Sequence, residues 1–340
     1  MRVAILIDIV ILSLLWHETL PLWTKAIAPL FSPSRVTNLA PAPAVAGSLP
    51  RVSAGNGAAI GMMVAAMMLF TGMDTIGKVL SADQPVQQVV WGRYFFQFAW
   101  MLLLIPFYGL RALTQTKRLG TQMTRGFLVA LATICLFTAV SVIPLADAYT
   151  ISFVAPFIVT ILSIPLLGER VGWRRWSAIL VGFLGVLVVI RPGFGVVHWA
   201  LLLPLVTATC FAFYQILTRK IGALPSERPL ALLFYMAFAG TLALSSLMPF
   251  YWQPVSPQAW AGMVAMGLLA SIGHLLLIKA LALASAVTLS PFIYTQLIWA
   301  IIIGFFLFGD VPDGWMLLGG SIIIASGLFV FYREARRAGQ

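Results

Sequence analysis

Charge is scarce in this chain of 340 residues, of which 9% are charged and 61% are hydrophobic. Cysteine is scarcer still: Cys135 and Cys210 alone give no disulfide framework. These two cysteines and the three histidines show no spacing typical of a metal site. The sequence also lacks a phosphate-binding glycine loop with a Gly-Lys-Ser/Thr motif. We therefore expect no cofactor, no metal and no ATP hydrolysis, and we expect both cysteines to serve packing.

Long apolar runs are abundant, and they fill the chain from about Gly57 to Tyr332. A hydrocarbon core of about 30 Å needs about 20 apolar residues per helix. Continuous runs without alternation exclude a membrane β-barrel. We predict an all-α integral membrane protein with ten transmembrane helices. Their predicted ranges are 57–80, 87–108, 125–143, 148–167, 174–190, 197–217, 229–250, 258–280, 284–307 and 315–332.

Basic residues alternate between the two sets of connections that join these spans. Most of the 21 Lys and Arg residues fall in one set, which includes the C-terminal tail. Because short cytoplasmic loops retain Lys and Arg, we expect a multi-pass inner-membrane protein with a cytoplasmic C-terminus. The net charge of +11 then reflects topology and contact with membrane lipids rather than nucleic-acid binding. The opposite set contains Arg191, Asp83, Asp147, Asp310 and Asp313.

The first 56 residues do not continue this pattern. The apolar stretch Ala4–Trp16 is too short to span a bilayer, and residues 32–57 are rich in Pro, Ala, Ser and Gly. We expect either a disordered extension or sequence upstream of a later translation start, at Val52 or Met62. N-terminal sequencing of the mature protein decides between them.

A shift of about 141 residues aligns the two halves of the chain. Because each copy holds five predicted spans, the second copy must enter the membrane from the opposite side. We predict two inverted five-helix repeats, at 57–192 and 197–333, and a cytoplasmic tail at 334–340. Secondary transporters use such repeats for alternating access. The aligned pairs include Phe70–Phe211, Asp74–Gln215, Lys78–Arg219 and Glu169–Asp310.

Two motifs at this spacing carry a family resemblance. The first holds Leu145-Ala-Asp-Ala-Tyr-Thr, Pro156 and Leu167-Gly-Glu-Arg170, and the second runs from Ala282 through Pro291 to Pro312. Together they resemble the EamA branch of the drug/metabolite transporter superfamily. The resemblance implies ten helices in two inverted halves around a central cavity. It also implies transport of amino-acid derivatives, metallophores, vitamins such as riboflavin, S-adenosylmethionine or nucleotide-sugar relatives. Asp310 departs from the more usual Glu, and the N-terminal extension has no family counterpart.

Charged side chains at membrane depth are costly, so each is a functional candidate. Asp74 and Lys78 lie four residues apart on one helical face. Arg93 follows the turn near Asp83 by about as many residues as Asp74 precedes it, which places both at one level. We predict an Arg93–Asp74–Lys78 cluster. It either binds a substrate carboxylate or couples protons, or it is a permanent ion pair that fixes helix packing.

Uncharged polar residues in the spans form a second candidate set. His274 either carries a proton or bonds a neighbouring helix. The prolines Pro156 and Pro291 free backbone carbonyls, which favours a cavity beside them. Buried hydrogen bonds between helices are the alternative for the whole set. The predicted lining residues are Tyr149, Thr150, Tyr214, Gln215, Tyr294, Gln296 and Trp299.

These features predict a secondary transporter of a small metabolite, acting as monomer or homodimer. Export of an amino-acid-like or metallophore-like compound is the first prediction, and import of riboflavin or S-adenosylmethionine is the alternative. A membrane-embedded enzyme is an alternative of another class, but it needs converging carboxylates or histidines where this sequence has isolated acids. A channel lacks a repeated ring of like charges. We predict structural roles for Glu169 and Asp310, as helix caps or loop contacts.

Overall fold

The computed structural model describes residues 56–167, 172–191, 198–222, 224, 226–283 and 289–338. Within these ranges the regular structure is helical and contains no strand, which confirms the all-α prediction. The predicted N-terminal extension lies outside the described residues. Glu169, whose predicted role was structural, also lies outside them.

The described residues form fourteen α-helices, two 3₁₀ turns and one π-helical turn. The first half contains α1 (Asn56–Leu80), α2 (Val86–Leu102), α3 (Ile105–Tyr108), α4 (Leu110–Thr114), α5 (Leu119–Val140), α6 (Leu145–Ser152), α7 (Ala155–Leu167) and α8 (Trp173–Ile190). The second half opens with a 3₁₀ turn at Trp199–Leu202, followed by α9 (Leu203–Gly222), α10 (Pro229–Ser245), α11 (Met248–Tyr251) and α12 (Pro257–Leu283). It ends with a 3₁₀ turn at Ser290–Tyr294, α13 (Thr295–Ile303), a π-helical turn at Gly304–Phe308 and α14 (Gly314–Ala338).

The chain is a multi-pass membrane protein. Six of its described helical segments are long and apolar enough to cross a bilayer. Four shorter apolar helices of 10–17 residues coincide with the remaining predicted spans. The six long segments are Gly57–Leu80, Val86–Tyr108, Leu119–Val140, Leu145–Leu166, Trp199–Thr218 and Pro257–Leu277, and the shorter ones are Trp176–Ile190, Pro229–Ser245, Phe292–Phe308 and Gly314–Phe329.

The fourth predicted span is not one continuous helix. It begins at Leu145 and breaks between α6 and α7, where Pro156 supplies no N–H to continue the helical hydrogen bonds. Around the break, Val154 N donates to Ile151 O at 3.2 Å and Phe157 N to Val154 O at 3.0 Å, each a bond three residues back. The break lets α6 and α7 follow different directions, so Tyr149 is placed by a short helix of its own.

The internal repeat is visible in the element boundaries. A shift of 143 residues carries α2 onto α10 and α3 onto α11, at both ends of each helix. The two short helices share the sequence Pro-Phe-Tyr, at 106–108 and 249–251. In each copy the proline follows a turn that ends the longer helix. This match adds a pair of elements to the repeat that the predicted motifs had not included.

Helix packing follows the same correspondence. With α1 paired to α9, α2 to α10, α5 to α12 and α8 to α14, every major contact has a counterpart. α1 packs on α12 as α9 packs on α5, and α12 packs on α2 as α5 packs on α10. α8 and α14 pack on each other. The core is therefore built between the two halves, and a site on the interior faces draws residues from both.

Contacts between connections sort them into two ends of the bundle. At one, the aspartate end (81–85, 141–144, 191, 252–256 and 309–313), Gln84 Nε2 donates to Pro254 O at 3.3 Å and Arg191 pairs with Asp313. At the other, the basic end (115–118, 224 and 226–228), Lys117 N donates to Glu227 Oε1 at 2.9 Å. Successive connections thus lie at opposite ends wherever they are described.

Candidate functional site

A buried carboxylate lies at the convergence of three helices. Asp74 of α1 is 4% exposed, and the buried Tyr149 hydroxyl of α6 donates a hydrogen bond to its Oδ2 atom. The same hydroxyl interacts with the side chains of Thr71 on α1 and Gln296 on α13. Because α1 and α6 belong to the first half and α13 to the second, this group joins the two repeats. The structure thus brings together three of the predicted site residues: Asp74, Tyr149 and Gln296.

A buried guanidinium lies near this carboxylate without pairing to it. Arg93 of α2 is 7% exposed, and its charge attracts that of Asp74. Among the described residues, however, no carboxylate oxygen lies within 4.0 Å of its nitrogens. Arg93 Nη1 donates instead to Thr133 Oγ1 at 2.9 Å, and Nε contacts Met73 Sδ at 3.1 Å. The guanidinium is held by neutral groups, which orient it and leave its charge uncompensated by direct contact.

The neutral groups around the Arg93 guanidinium form what we call the Arg93 cradle, and Thr133 of α5 lies at its centre. Its hydroxyl donates to Val129 O at 2.8 Å and accepts the bond from Arg93. The Tyr94 hydroxyl lies 2.9 Å from the same Thr133 oxygen, and the Tyr94 ring lies under the guanidinium at 4.8 Å. All three side chains are buried. Sequence analysis missed Thr133 and Tyr94 because a single hydroxyl in an apolar helix carries no charge signal.

Lys78 does not pair with Asp74, so the prediction that Lys78 belongs to a cluster with Arg93 and Asp74 is wrong. Its ammonium contacts Asp310 Oδ2 at 3.1 Å and Ile143 O at 3.4 Å, above the Phe308 ring. The Lys78 side chain extends from the last turn of α1 toward the aspartate end, where Asp310 keeps 28% of its side chain exposed. A partner that remains partly in water costs less desolvation than the fully enclosed Asp74.

A cavity of about 120 Å³ opens at the aspartate end. Its lining includes Asp147, Asp310, Asp313 and Met316. Asp313 rather than Asp310 caps α14, by accepting a 2.7 Å bond from Met316 N, while Asp310 holds Lys78. Burial acts to raise the pKa of Asp313, but bonds from Met316 N and Arg191 outweigh it and lower the pKa below its usual value. Of the two helix-end roles, Asp313 thus supplies the cap, and Asp310 supplies a structural ion pair.

Aromatic groups border the Asp74 region on one side. Phe70 precedes Asp74 by one helical turn, and the His274 ring meets it edge-on at 4.8 Å between centroids. Trp299 packs in the same cluster as Phe70, and within the described part of the chain its buried Nε1 has no hydrogen-bond partner. His274 Nδ1 lies 2.7 Å from Ala270 O, the carbonyl one turn earlier. His274 thus bonds its own helix rather than a neighbouring one.

Two predicted lining residues make packing contacts with neighbouring helices. Thr150 Oγ1 bonds Ala146 O of its own helix at 2.8 Å, and its methyl group lies over Gly320. The Tyr294 ring meets Phe153 edge-on at 5.1 Å, and its buried hydroxyl lies against Gly327 without a partner among the described residues. A side chain at position 327 would collide with that hydroxyl, so glycine is required there.

Tyr214 belongs to a separate cluster at the basic end. It lies under the buried Arg125 guanidinium at 5.1 Å, and the next residue, Gln215, is half-buried. Arg125 donates to Thr218 Oγ1 at 2.9 Å, to Leu232 O and to Gln122 Oε1. Gln122 Nε2 in turn donates to the buried Glu227 at 2.9 Å. We call Gln122, Arg125, Thr218 and Glu227 the basic-end network, and it links α5 with α9 and the start of α10.

Comparison with known proteins assigns the fold to a family. The EamA-like transporter family model matches residues 57–191 and again 198–332, with both boundaries shifted by 141 residues. The chain belongs to the EamA-like transporter family. The two matches confirm the predicted repeat and the family resemblance. They span nearly all of the described bundle, so the site above lies within the family's own fold.

Several curated relatives of this EamA-like chain are transporters. The S-adenosylmethionine uptake transporter of Rickettsia conorii is 27% identical over 82% of this chain and 93% of its own. The riboflavin transporter of Rhizobium johnstonii is 27% identical over 81% and 91%. The pseudopaline exporter CntI of Pseudomonas aeruginosa is 28% identical over 78% and 93%. A solved crystal structure with 16% identity matches 84% of this chain and 99% of its own at a TM-score of 0.58, which supports the fold.

Proposed function

We propose that this EamA-like protein is a secondary transporter of a small zwitterionic metabolite that carries an amino-acid group. The observation that carries the proposal is the separation of two buried charges. Asp74 and Arg93 attract each other, yet Tyr149 holds the first and Thr133 holds the second. A substrate with one carboxylate and one cationic group would satisfy both.

The physical argument rests on what an unpaired buried charge costs. Interior charges are normally paired, because removing an ion from water costs several kcal/mol. Neutral hydrogen-bond partners recover only part of this cost. A substrate carboxylate at Arg93 gains charge-assisted, two-pronged hydrogen bonds. A substrate ammonium or sulfonium near Asp74 also faces the aromatic rings of Phe70 and Trp299, which favour cations.

The proposal includes ten membrane helices in two inverted halves, and a cytoplasmic C-terminus in the bacterial inner membrane. Successive described connections lie at opposite ends of the bundle, and the basic ones share an end, which supports this topology. Ion pairs at the aspartate end and the basic-end network each join the first half to the second. Alternating access between inverted repeats would break the contacts at one end of the bundle while those at the other end stay formed. No chemical conversion of the substrate is part of the proposal.

S-Adenosylmethionine is the first substrate to test, because it carries the amino-acid group and a sulfonium, and because curated relatives are named for its uptake. Uptake therefore enters as the second candidate direction beside the predicted export. A relative named as an exporter supports export equally well.

Metabolite profiling tests substrate and direction together. The protein is overexpressed in a transporter-deleted host, with the Arg93→Ala variant as control, and cells and medium are analysed before and after adding S-adenosylmethionine. A zwitterion that accumulates in the medium supports export, and one that enters the cells supports uptake. Movement only of an uncharged compound, or equal profiles for both proteins, rejects the proposed substrate class.

A further inference from the structure

Only part of the hydrogen-bonding capacity of Arg93 is used by the neighbours described above. Its Nη1 and Nε atoms face Thr133 Oγ1 and Met73 Sδ, both neutral acceptors. Guanidinium has five N–H donors, so this arrangement leaves donors available for another partner. Met73 is adjacent in sequence to Asp74, so one acceptor of Arg93 and the carboxylate belong to the same turn of α1.

The charge of Asp74 competes for these donors. The two charges attract each other, and this attraction favours a direct ion pair. What opposes closure is the bond to Thr133, reinforced by the Tyr94 hydroxyl at 2.9 Å from the same oxygen. Thr133 itself is anchored by its 2.8 Å bond to Val129 O.

We propose that Thr133 is a positioning residue that holds the Arg93 guanidinium off Asp74 and so keeps it ready for the carboxylate of the transported zwitterion. This inference rests on the proposed function. Without the Thr133 hydroxyl, Arg93 would pair with Asp74 in the empty site. With it, both charges remain available to the substrate. A hydroxyl at this position is required, and its methyl group is not.

Transport kinetics of S-adenosylmethionine and its decarboxylated analogue test the inference. Thr133→Val removes the hydroxyl at nearly constant volume. We expect the KM for S-adenosylmethionine to rise about tenfold with little change in Vmax, because one charge-assisted bond is lost from the orientation of Arg93. The analogue, which lacks the carboxylate, should show a smaller rise in KM, because it loses only the part of the Asp74 attraction that the released Arg93 takes up. Thr133→Ser should restore the wild-type value.

A matched control lies on the same helix. Thr124 Oγ1 also bonds the carbonyl four residues back, Gly120 O at 2.8 Å, but this bond is exposed, and Thr124 precedes Thr133 by nine residues on α5. Thr124→Val should leave the KM unchanged. Equal effects of the two valine variants, or an equal KM rise for both substrates, would overturn the positioning role.

Thermal unfolding of the purified protein gives a readout that needs no substrate. Asp74→Asn should lower the Tm more in a Thr133→Val background than in wild type, because the released Arg93 then pairs with Asp74. Equal Tm shifts in both backgrounds overturn the inference. If this coupling is present but no zwitterion is transported, the proposed function fails while Thr133 still holds Arg93 off Asp74.

Discussion

Tyr149 is the residue that donates a hydrogen bond to the Asp74 carboxylate. Its hydroxyl donates to Asp74 while also interacting with Thr71 and Gln296, so a change at Gln296 in the second half reaches the carboxylate in the first. A carboxylate with a single strong donor in an enclosed site exchanges a proton or a cation more readily than one locked in a salt bridge. This favours a working role for Asp74 over a purely structural one.

Asp74→Asn tests that role. The amide keeps the volume and accepts the Tyr149 bond, but it carries neither charge nor an exchangeable acid proton. We expect at least a tenfold loss in transport rate and a flatter pH profile, measured in proteoliposomes over pH 5.5–8.5, on the scale of other lost buried charges. Unchanged rate and unchanged pH dependence would assign Asp74 to packing. Asp83→Asn, in the exposed connection after α1, provides a charge-matched control outside the site.

At the scale of single elements, the ends of α1 and α14 are fixed by aspartates of one short connection. Asp310 receives Lys78 from α1, and Asp313 caps α14 and receives Arg191 from the end of α8. Four residues of chain therefore tie together three elements. Movement of this connection would loosen the aspartate end as a unit.

Charge reversal tests the Lys78–Asp310 pair. Lys78→Asp alone places like charges together at a partly buried position, and we expect transport to fall about tenfold. The double variant Lys78→Asp with Asp310→Lys restores the attraction and should recover most of the activity in vesicle uptake. Failure of the exchange to rescue, with both proteins present in equal amount, would show that the side chains act separately.

The helix cap of α14 predicts a pH-dependent stability. Asp313→Ala should cost about 1 kcal/mol of unfolding free energy, the usual value of an N-cap, while Asp313→Asn should cost less. Because the folded pKa of Asp313 is lowered, the charged form stabilises the fold above the ordinary carboxyl pKa of about 3.9. The advantage of wild type over Asp313→Asn should therefore shrink as pH falls below that value, in thermal unfolding followed by circular dichroism.

The sequence predicted helices well and side-chain partners poorly, for reasons visible in particular residues. Apolar runs report burial in lipid, so each described apolar helix overlaps a predicted span. The partner of a long side chain depends on how far and in which direction the side chain extends. Lys78 contacts Asp310, although Asp74 lies one helical turn from Lys78. Asp74 and Arg93 were found because charge in a span is rare, whereas Thr133 is one hydroxyl among many. Glu227 could have been predicted to pair with a basic group, because it is the one acidic residue in a connection that is otherwise basic.

At the scale of the whole molecule, contacts run between the halves more than within them. α1 packs on α12 and α9 on α5, so neither half has a complete core alone. The basic-end network and the Lys78–Asp310 pair each bridge the halves at one end. Under the proposed alternating access, one bridging set would break while the other stays closed.

Cysteine labelling tests the sidedness of the bundle. With Cys135 and Cys210 replaced by Ala, single cysteines are placed at the exposed Asp83 and Gly120. An impermeant maleimide added to intact cells with a permeable outer membrane should label position 83 alone, and position 120 only after inner-membrane lysis. The reverse pattern would invert the proposed topology, and labelling of both from outside would reject the alternation of the connections.

The unpaired carboxylate and guanidinium also fix the electrical character of the transport cycle. Their charges sum to zero, so under the proposed function these two residues would move no net charge through the voltage, and a substrate with one charge of each sign would add none. A substrate with an additional positive charge, as in a sulfonium amino acid, is instead worth about 2.3 kcal/mol per 100 mV. Uptake of such a substrate should accelerate when a potassium-diffusion potential makes proteoliposomes negative inside, while a neutral zwitterion should cross at a voltage-independent rate. The membrane potential would then drive accumulation with no ion carried alongside.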